Sequence, residues 1–84
     1  MKSCKIGDKV LITDYSNILN NDDIDPNFKD YTKKYKNKIV TIVDKLSPND
    51  GENDLYYVSA DGIRSPEGYY RSELTLMKPV EWDE

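Results

Sequence analysis

The sequence predicts a mainly β domain: a single, small five-stranded barrel whose long first loop carries a short helix. Three observations predict it. Short apolar bursts alternate with period two, turn residues separate them, and one early stretch repeats with helical spacing instead. At 84 residues, the chain can form one small domain with a limited core. Its mean hydropathy of -0.81 is low, but the apolar residues are clustered, which a disordered chain would lack.

The first strand is expected within Gly7–Tyr15. Gly7-Asp8 reads as a turn, and Val10 and Ile12 alternate with Lys9, Leu11 and Thr13, as on a half-buried strand. Residues 16–37 then form an insertion. Asn17 to Asn27 is polar and lacks periodicity. Beyond it a short helix is expected: Asp25 can cap, Pro26 suits the first helical position, and Phe28, Tyr31 and Tyr35 share one face. Lys29, Lys33 and Lys36 lie off that face. The second strand is Lys38–Asp44, rich in β-branched residues, and residues 47–53 form a turn-rich loop. Leu55–Ser59 is the third strand, turning at Asp61-Gly62, where positive φ is tolerated. Ile63-Arg64 and Tyr69-Tyr70 form an interrupted fourth strand. Arg71-Ser72-Glu73 makes a tight helical turn, and Leu74–Leu76 closes the set. The barrel is thus assigned to residues 1–77, with residues 78–84 as an acidic tail.

The run Gly7-Asp8-Lys9-Val10, the strand Lys38–Val43, Tyr56-Tyr57-Val58 with Asp61-Gly62, and Tyr70 with Ser72-Glu73-Leu74 together resemble the small bacterial SH3-like barrels. That family includes KOW-type modules and short prophage-encoded proteins, and the resemblance covers residues 6–77 outside the insertion. It implies a barrel with a one-turn helix before its last strand. KOW modules carry a glycine in the second strand where the backbone nears RNA. Here that position is Val40, and the preceding turn has Asn37, so the RNA-binding role does not transfer directly. Lysine, asparagine, isoleucine and tyrosine usage fits an AT-rich genome, so a low-GC bacterium or its phage is the expected source.

Composition excludes several classes of function. No apolar run approaches the roughly 18 residues of a membrane span, and no signal peptide is expected from the Met1–Lys5 start. The lone Cys4 can make no internal disulfide, so a cytoplasmic setting is expected. The chain has no histidine, which removes the commonest general base and metal ligand. Cys4 therefore has no activating partner, and in a mobile N-terminus it is expected to be an incidental thiol. Neither Asp22, Asp23 and Asp25 nor Asn49, Asp50, Glu52 and Asp54 follow a calcium-loop spacing. An enzyme, a metal and a cofactor are not expected.

Charge is unevenly distributed. Residues 28–45 carry a net of +4, whereas residues 46–84 carry -6. An acidic remainder opposes broad polyanion binding. The expected function is recognition of a host protein or defence complex, as an inhibitor or adaptor, with nucleic-acid mimicry by the carboxylates of 50–84 as one form. Candidate partner-binding residues are Tyr57, Tyr69, Tyr31 and Tyr35, with Asp22 and Asp23 of the insertion and Trp82 of the tail. Surface tyrosines offer contact area at little entropic cost. The competing expectation is a KOW-like module that binds RNA through Lys29, Lys33, Lys34, Lys36 and Lys38, interleaved with aromatics.

Overall fold

The computed structural model describes residues 4–47 and 54–77. It is mainly β, with β1 (Lys9–Ile12), β2 (Ile39–Leu46), β3 (Leu55–Ala60), β4 (Ile63–Arg64), β5 (Tyr69–Tyr70) and β6 (Leu74–Leu76). Helices α1 (Ser16–Asn20) and α2 (Pro26–Tyr35) lie between β1 and β2, and a 3-10 turn, Arg71–Glu73, precedes β6. The six strands form one antiparallel sheet in the order β4-β3-β2-β1-β6, with β5 also paired to β3. The mainly β class is as expected, whereas the expected barrel had five strands. The strand path is open, and the interrupted fourth strand is two separate strands, each paired with β3.

Ser65 accounts for the interruption. Pro66 has no amide to donate, so the ladder must stop there. Ser65 is buried and holds the exit: its amide donates to the Val58 carbonyl at 2.7 Å. Its Oγ accepts from the Val58 amide at 3.2 Å and donates to the Glu67 carbonyl at 2.8 Å. A side chain thus replaces a backbone group where β4 leaves β3.

The expected turns form. Asp61 and Gly62 both have positive φ (54° and 77°), the combination a tight hairpin turn requires. Asn37 also has φ 60°, a left-handed conformation that asparagine tolerates. Its amide donates to the Ile12 carbonyl at 3.0 Å, so α2 hands the chain directly to β2 beside β1. Within β2 the register shifts between Ile42 and Asp44, leaving Val43 as a bulge. The extra residue brings Asp44 opposite Tyr57, so its carboxylate avoids the inner face occupied by Ile42.

The insertion is folded over its length. Sequence reading expected Asn17–Asn27 to be irregular, yet Ser16–Asn20 is a short helix that buries Ile18. A single turn shows no periodicity, and this one is held by packing on its neighbours. Helix α2 matches expectation: Asp25 caps it by accepting from the Asn27 amide at 2.9 Å, and Pro26 occupies the first turn. Phe28, Tyr31, Thr32 and Tyr35 are buried. They meet Val10, Ile12, Val40, Ile42, Tyr56, Val58, Tyr69 and Leu74 in one core.

Tyr69 sits at the meeting point. It is fully buried, its ring lies 4.7 Å from that of Phe28, and its hydroxyl shares a 2.7 Å hydrogen bond with Thr32 Oγ1. Tyr31 donates to the Ile63 carbonyl at 2.7 Å, tying α2 to β4 as well. Cys4 is also in the core, with its amide donating to the Tyr56 hydroxyl at 3.3 Å. The expectation of a thiol in a mobile terminus is therefore corrected. Burial pushes its pKa up, which makes it a poor nucleophile.

Two predictions follow from this packing. A Cβ at Gly68 would lie 2.7 Å from Leu55 Cβ, so Gly68→Ala should destabilise the fold by about 1–3 kcal/mol. Thermal denaturation should then show a fall of about 4–8 °C per kcal/mol. Burial also raises the pKa of Tyr31 to about 12 and that of Tyr69 further. Both contribute stability that is present below the ordinary tyrosine pKa of about 10 and lost as pH rises above it. Absorbance at alkaline pH should show these two tyrosinates appearing only together with loss of far-ultraviolet structure.

Candidate functional site

The tyrosines expected as partner anchors separate by burial. Tyr31, Tyr35 and Tyr69 are core residues and offer no free face, which corrects their assignment to a contact surface. The sheet register is the reason: Tyr56 pairs with Tyr69 and Leu55 with Tyr70. With Tyr56 inside, Tyr69 is inside too, and Tyr70 emerges 50% exposed. Tyr57 is half-buried on the outer face. The Arg64 guanidinium lies 4.7 Å from the centre of its ring and pairs with Asp44 Oδ2 at 3.0 Å. Both charged side chains are about half exposed (53% and 51%), so this pair adds little stability. It does hold an arginine stacked on a tyrosine at the surface.

Of the lysines expected off the aromatic face, Lys33 alone is exposed. Lys33, Lys34 and Lys38 are exposed, while Lys29 and Lys36 are half-buried. Lys36 Nζ lies 5.0 Å from the Tyr15 ring centre, and Lys34 Nζ 5.3 Å from that of Tyr35. The aromatics interleaved with them in sequence point into the core, so the lysine face has no row of open rings beside it. Trp82 and the 78–84 tail lie outside the described residues, as do Asn49, Asp50 and Glu52.

The insertion and the sheet enclose a cleft of about 320 Å3. Ile24, Phe28 and Leu55 contribute its apolar wall, and Asp23, Asp25 and Glu67 its carboxylates. Tyr70 stands at its side next to Gly68. Each part has a local cause. Asp25 is fixed by capping α2, Leu55 packs where Gly68 lacks a side chain, and Tyr70 faces outward because Tyr69 is held inside. Asp23 also lines an adjoining polar hollow with Asp22, Asn17, Asn20 and Asn21. The structure thus brings Asp22 and Asp23 together at the insertion, but not with Tyr57, which belongs to the outer face of the sheet.

Among the described residues the ion pairs are Lys45–Asp54 (3.2 Å) and Arg64–Asp44, so no cation there neutralises the carboxylates of the cleft. Asp54 is held below the usual carboxylate range, first by the Ser47 hydroxyl and then by Lys45. Among the described residues no group of His, Cys, Asp or Glu is placed to hold a metal ion, and no helix is long and apolar enough to cross a membrane.

Sequence reasoning missed Asp25, Glu67 and Tyr70 as cleft residues. One signal was present. The hairpin register of Ser59 with Arg64, carried past Pro66, keeps Tyr69 on the Tyr56 side whether or not the strands slip by two. Parity alone sends Tyr70 outward.

Glu73 supports the cleft from behind by accepting from the Tyr70 amide at 2.8 Å. Burial raises its pKa, the Tyr70 amide partly offsets this, and Asp14 adds to the rise. A raised carboxyl binds protons more tightly in the folded state, so stability falls as pH climbs from the ordinary carboxylate range through the folded pKa. Denaturant titrations across that window should show the native chain losing stability relative to Glu73→Gln, with the difference levelling off once Glu73 is ionised. Comparison of the chain with protein-family models, curated proteins and solved structures finds no match.

Proposed function

We propose that the chain is a small non-enzymatic recognition module on an SH3-like scaffold, which binds another protein through the cleft between its insertion and β3–β5. The order β6-β1-β2-β3, with a 3-10 turn leading into the last strand, supports the SH3-like reading. One observation carries the functional reading: apolar, acidic and aromatic groups meet in a concave site built from an insertion on a minimal sheet. Function tends to reside in such insertions, and tyrosines beside apolar pockets are frequent binding anchors. The partner would be a host protein or defence complex, the chain its inhibitor or adaptor, and phage or prophage the source.

Nucleic-acid mimicry by the carboxylates of 50–84 is the less supported form of this reading, because of these only Glu67 lines the cleft, among the described residues. The KOW-like alternative retains exposed Lys33, Lys34 and Lys38, but their neighbouring aromatics are buried. Phosphate contact without base stacking would remain.

The immobilised chain should retain a protein from the lysate of a low-GC Gram-positive host after nuclease treatment. Tyr70→Ala should lower that retention about tenfold, the scale of one binding anchor, while Lys33→Glu/Lys34→Glu should leave it unchanged. Retention that vanishes with nuclease, or with the lysine substitutions, would overturn the proposal in favour of the KOW-like module.

A further inference from the structure

We infer that the occupant of the cleft is a long basic side chain, arginine or lysine, flanked by apolar residues in an extended segment of the partner protein. The inference rests on the reading of the chain as a protein-recognition module and names what that site recognises.

The lining is mixed in a way that suits one kind of side chain. Ile24, Phe28 and Leu55 are apolar, whereas Asp23, Asp25 and Glu67 are anionic, and Tyr70 adds the face of a half-exposed ring. A purely apolar ligand would strip water from three carboxylates without replacing it. A compact hydrated cation would leave the apolar wall uncovered. Arginine and lysine carry both components on one chain, with an aliphatic stem that lies along apolar surface and a charged head that seeks acceptors.

Charge complementarity supports the same choice. No cation among the described residues lies within 4.0 Å of the three carboxylates, since the ion pairs formed there involve Asp44 and Asp54. Of the exposed lysines of the insertion and the turn after it, Lys33 and Lys34 are on the solvent face of α2 and Lys38 follows it, while Phe28 of the same helix lines the cleft. Among the described residues, no cation therefore pairs with the carboxylates of the site. An incoming head group would form charge-assisted hydrogen bonds to these carboxylates, of which Asp25 is held in place by the cap of α2. Tyr70 offers a ring face to the same cation.

The volume bounds the occupant. About 320 Å3 is at the lower end of the range for ligand sites, enough for one long side chain with its neighbours at the rim. A folded surface or a helix would not enter. Tyr70 also uses its amide to bind Glu73, so strand addition along β5 would lack that donor. Side-chain insertion, not backbone pairing, is the mode that fits.

The test is a titration of the full isotope-labelled chain, followed by amide resonances, with a capped Gly-Leu-Arg-Leu-Gly peptide. Shifts confined to residues 23–28, Leu55 and 67–70, saturating in roughly the millimolar range expected for so short a ligand, would support the inference. Replacing arginine by neutral, near-isosteric citrulline should weaken binding about tenfold, as should Asp23→Asn/Glu67→Gln in the chain. Asp25 is left intact because it caps α2. Equal shifts with the citrulline peptide, no shifts, or shifts centred on the lysines would overturn it. So would equally tight binding of spermidine, which would make the site one for free polyamines. Cleft resonances that move on dilution alone would identify a second copy of the chain as the occupant and overturn it too. In the capture experiment, a nuclease-resistant partner retained fully by Asp23→Asn/Glu67→Gln would refute the basic-segment inference while leaving protein recognition standing.

Discussion

The burial of Tyr69 is the constraint from which much of the architecture follows. Its ring packs on Phe28 and its hydroxyl bonds Thr32, so one side chain of β5 joins the sheet to the inserted helix. A helix of three turns is marginal alone, and the insertion would gain little order without this attachment. Both polar atoms are satisfied by one another, so the contact adds a hydrogen bond without leaving a buried group unpaired. The same burial fixes the alternation of β5 and turns Tyr70 toward solvent.

The bulge at Val43 does comparable work on the opposite face. By advancing the register one residue it keeps Asp44 out of the core and beside Arg64 and Tyr57. Without it, the period-two alternation of β2 would direct a carboxylate inward after Ile42. The chain thus has two surface groupings, an acidic, concave one at the insertion and an arginine–tyrosine one on the outer sheet, and they adjoin at Gly68, where a Cβ would lie 3.3 Å from the Tyr57 ring. They arise from different irregularities, Gly68 with Pro66 in one case and Val43 in the other.

Much of the fold was legible because the signals were local. Period-two alternation at Val10 and Ile12, the cap at Asp25 before Pro26, the Asp61-Gly62 turn and the helical spacing of Phe28, Tyr31 and Tyr35 each depend on a few neighbouring residues. What escaped depends on contacts distant in sequence. Helix α1 has too few residues to display a period, and Cys4 is held in the core by Tyr56, 52 residues away. The division of β4 from β5 reflects how Ser65 bonds Val58, which no local pattern encodes. The site was partly legible: Asp23 was found from the composition of the insertion, along with Asp22, which lines the adjoining hollow. Tyr69 was mistaken for its neighbour in role because the break at Pro66 hid a register whose parity was nevertheless intact. The lysines' sequence neighbours suggested a stacking surface, which the helical geometry takes apart by sending rings and charges to opposite sides.

The placement of Cys4 has a kinetic consequence. It is the chain's one cysteine, nearly inaccessible and anchored through its amide to Tyr56. A thiol reagent can reach it only when the packing around Cys4 and Tyr56 opens. The rate of labelling then reads the frequency of such openings, without any added probe. Partner binding that slowed the labelling would register how far the tightening spreads from the insertion into the core that Cys4 shares with it.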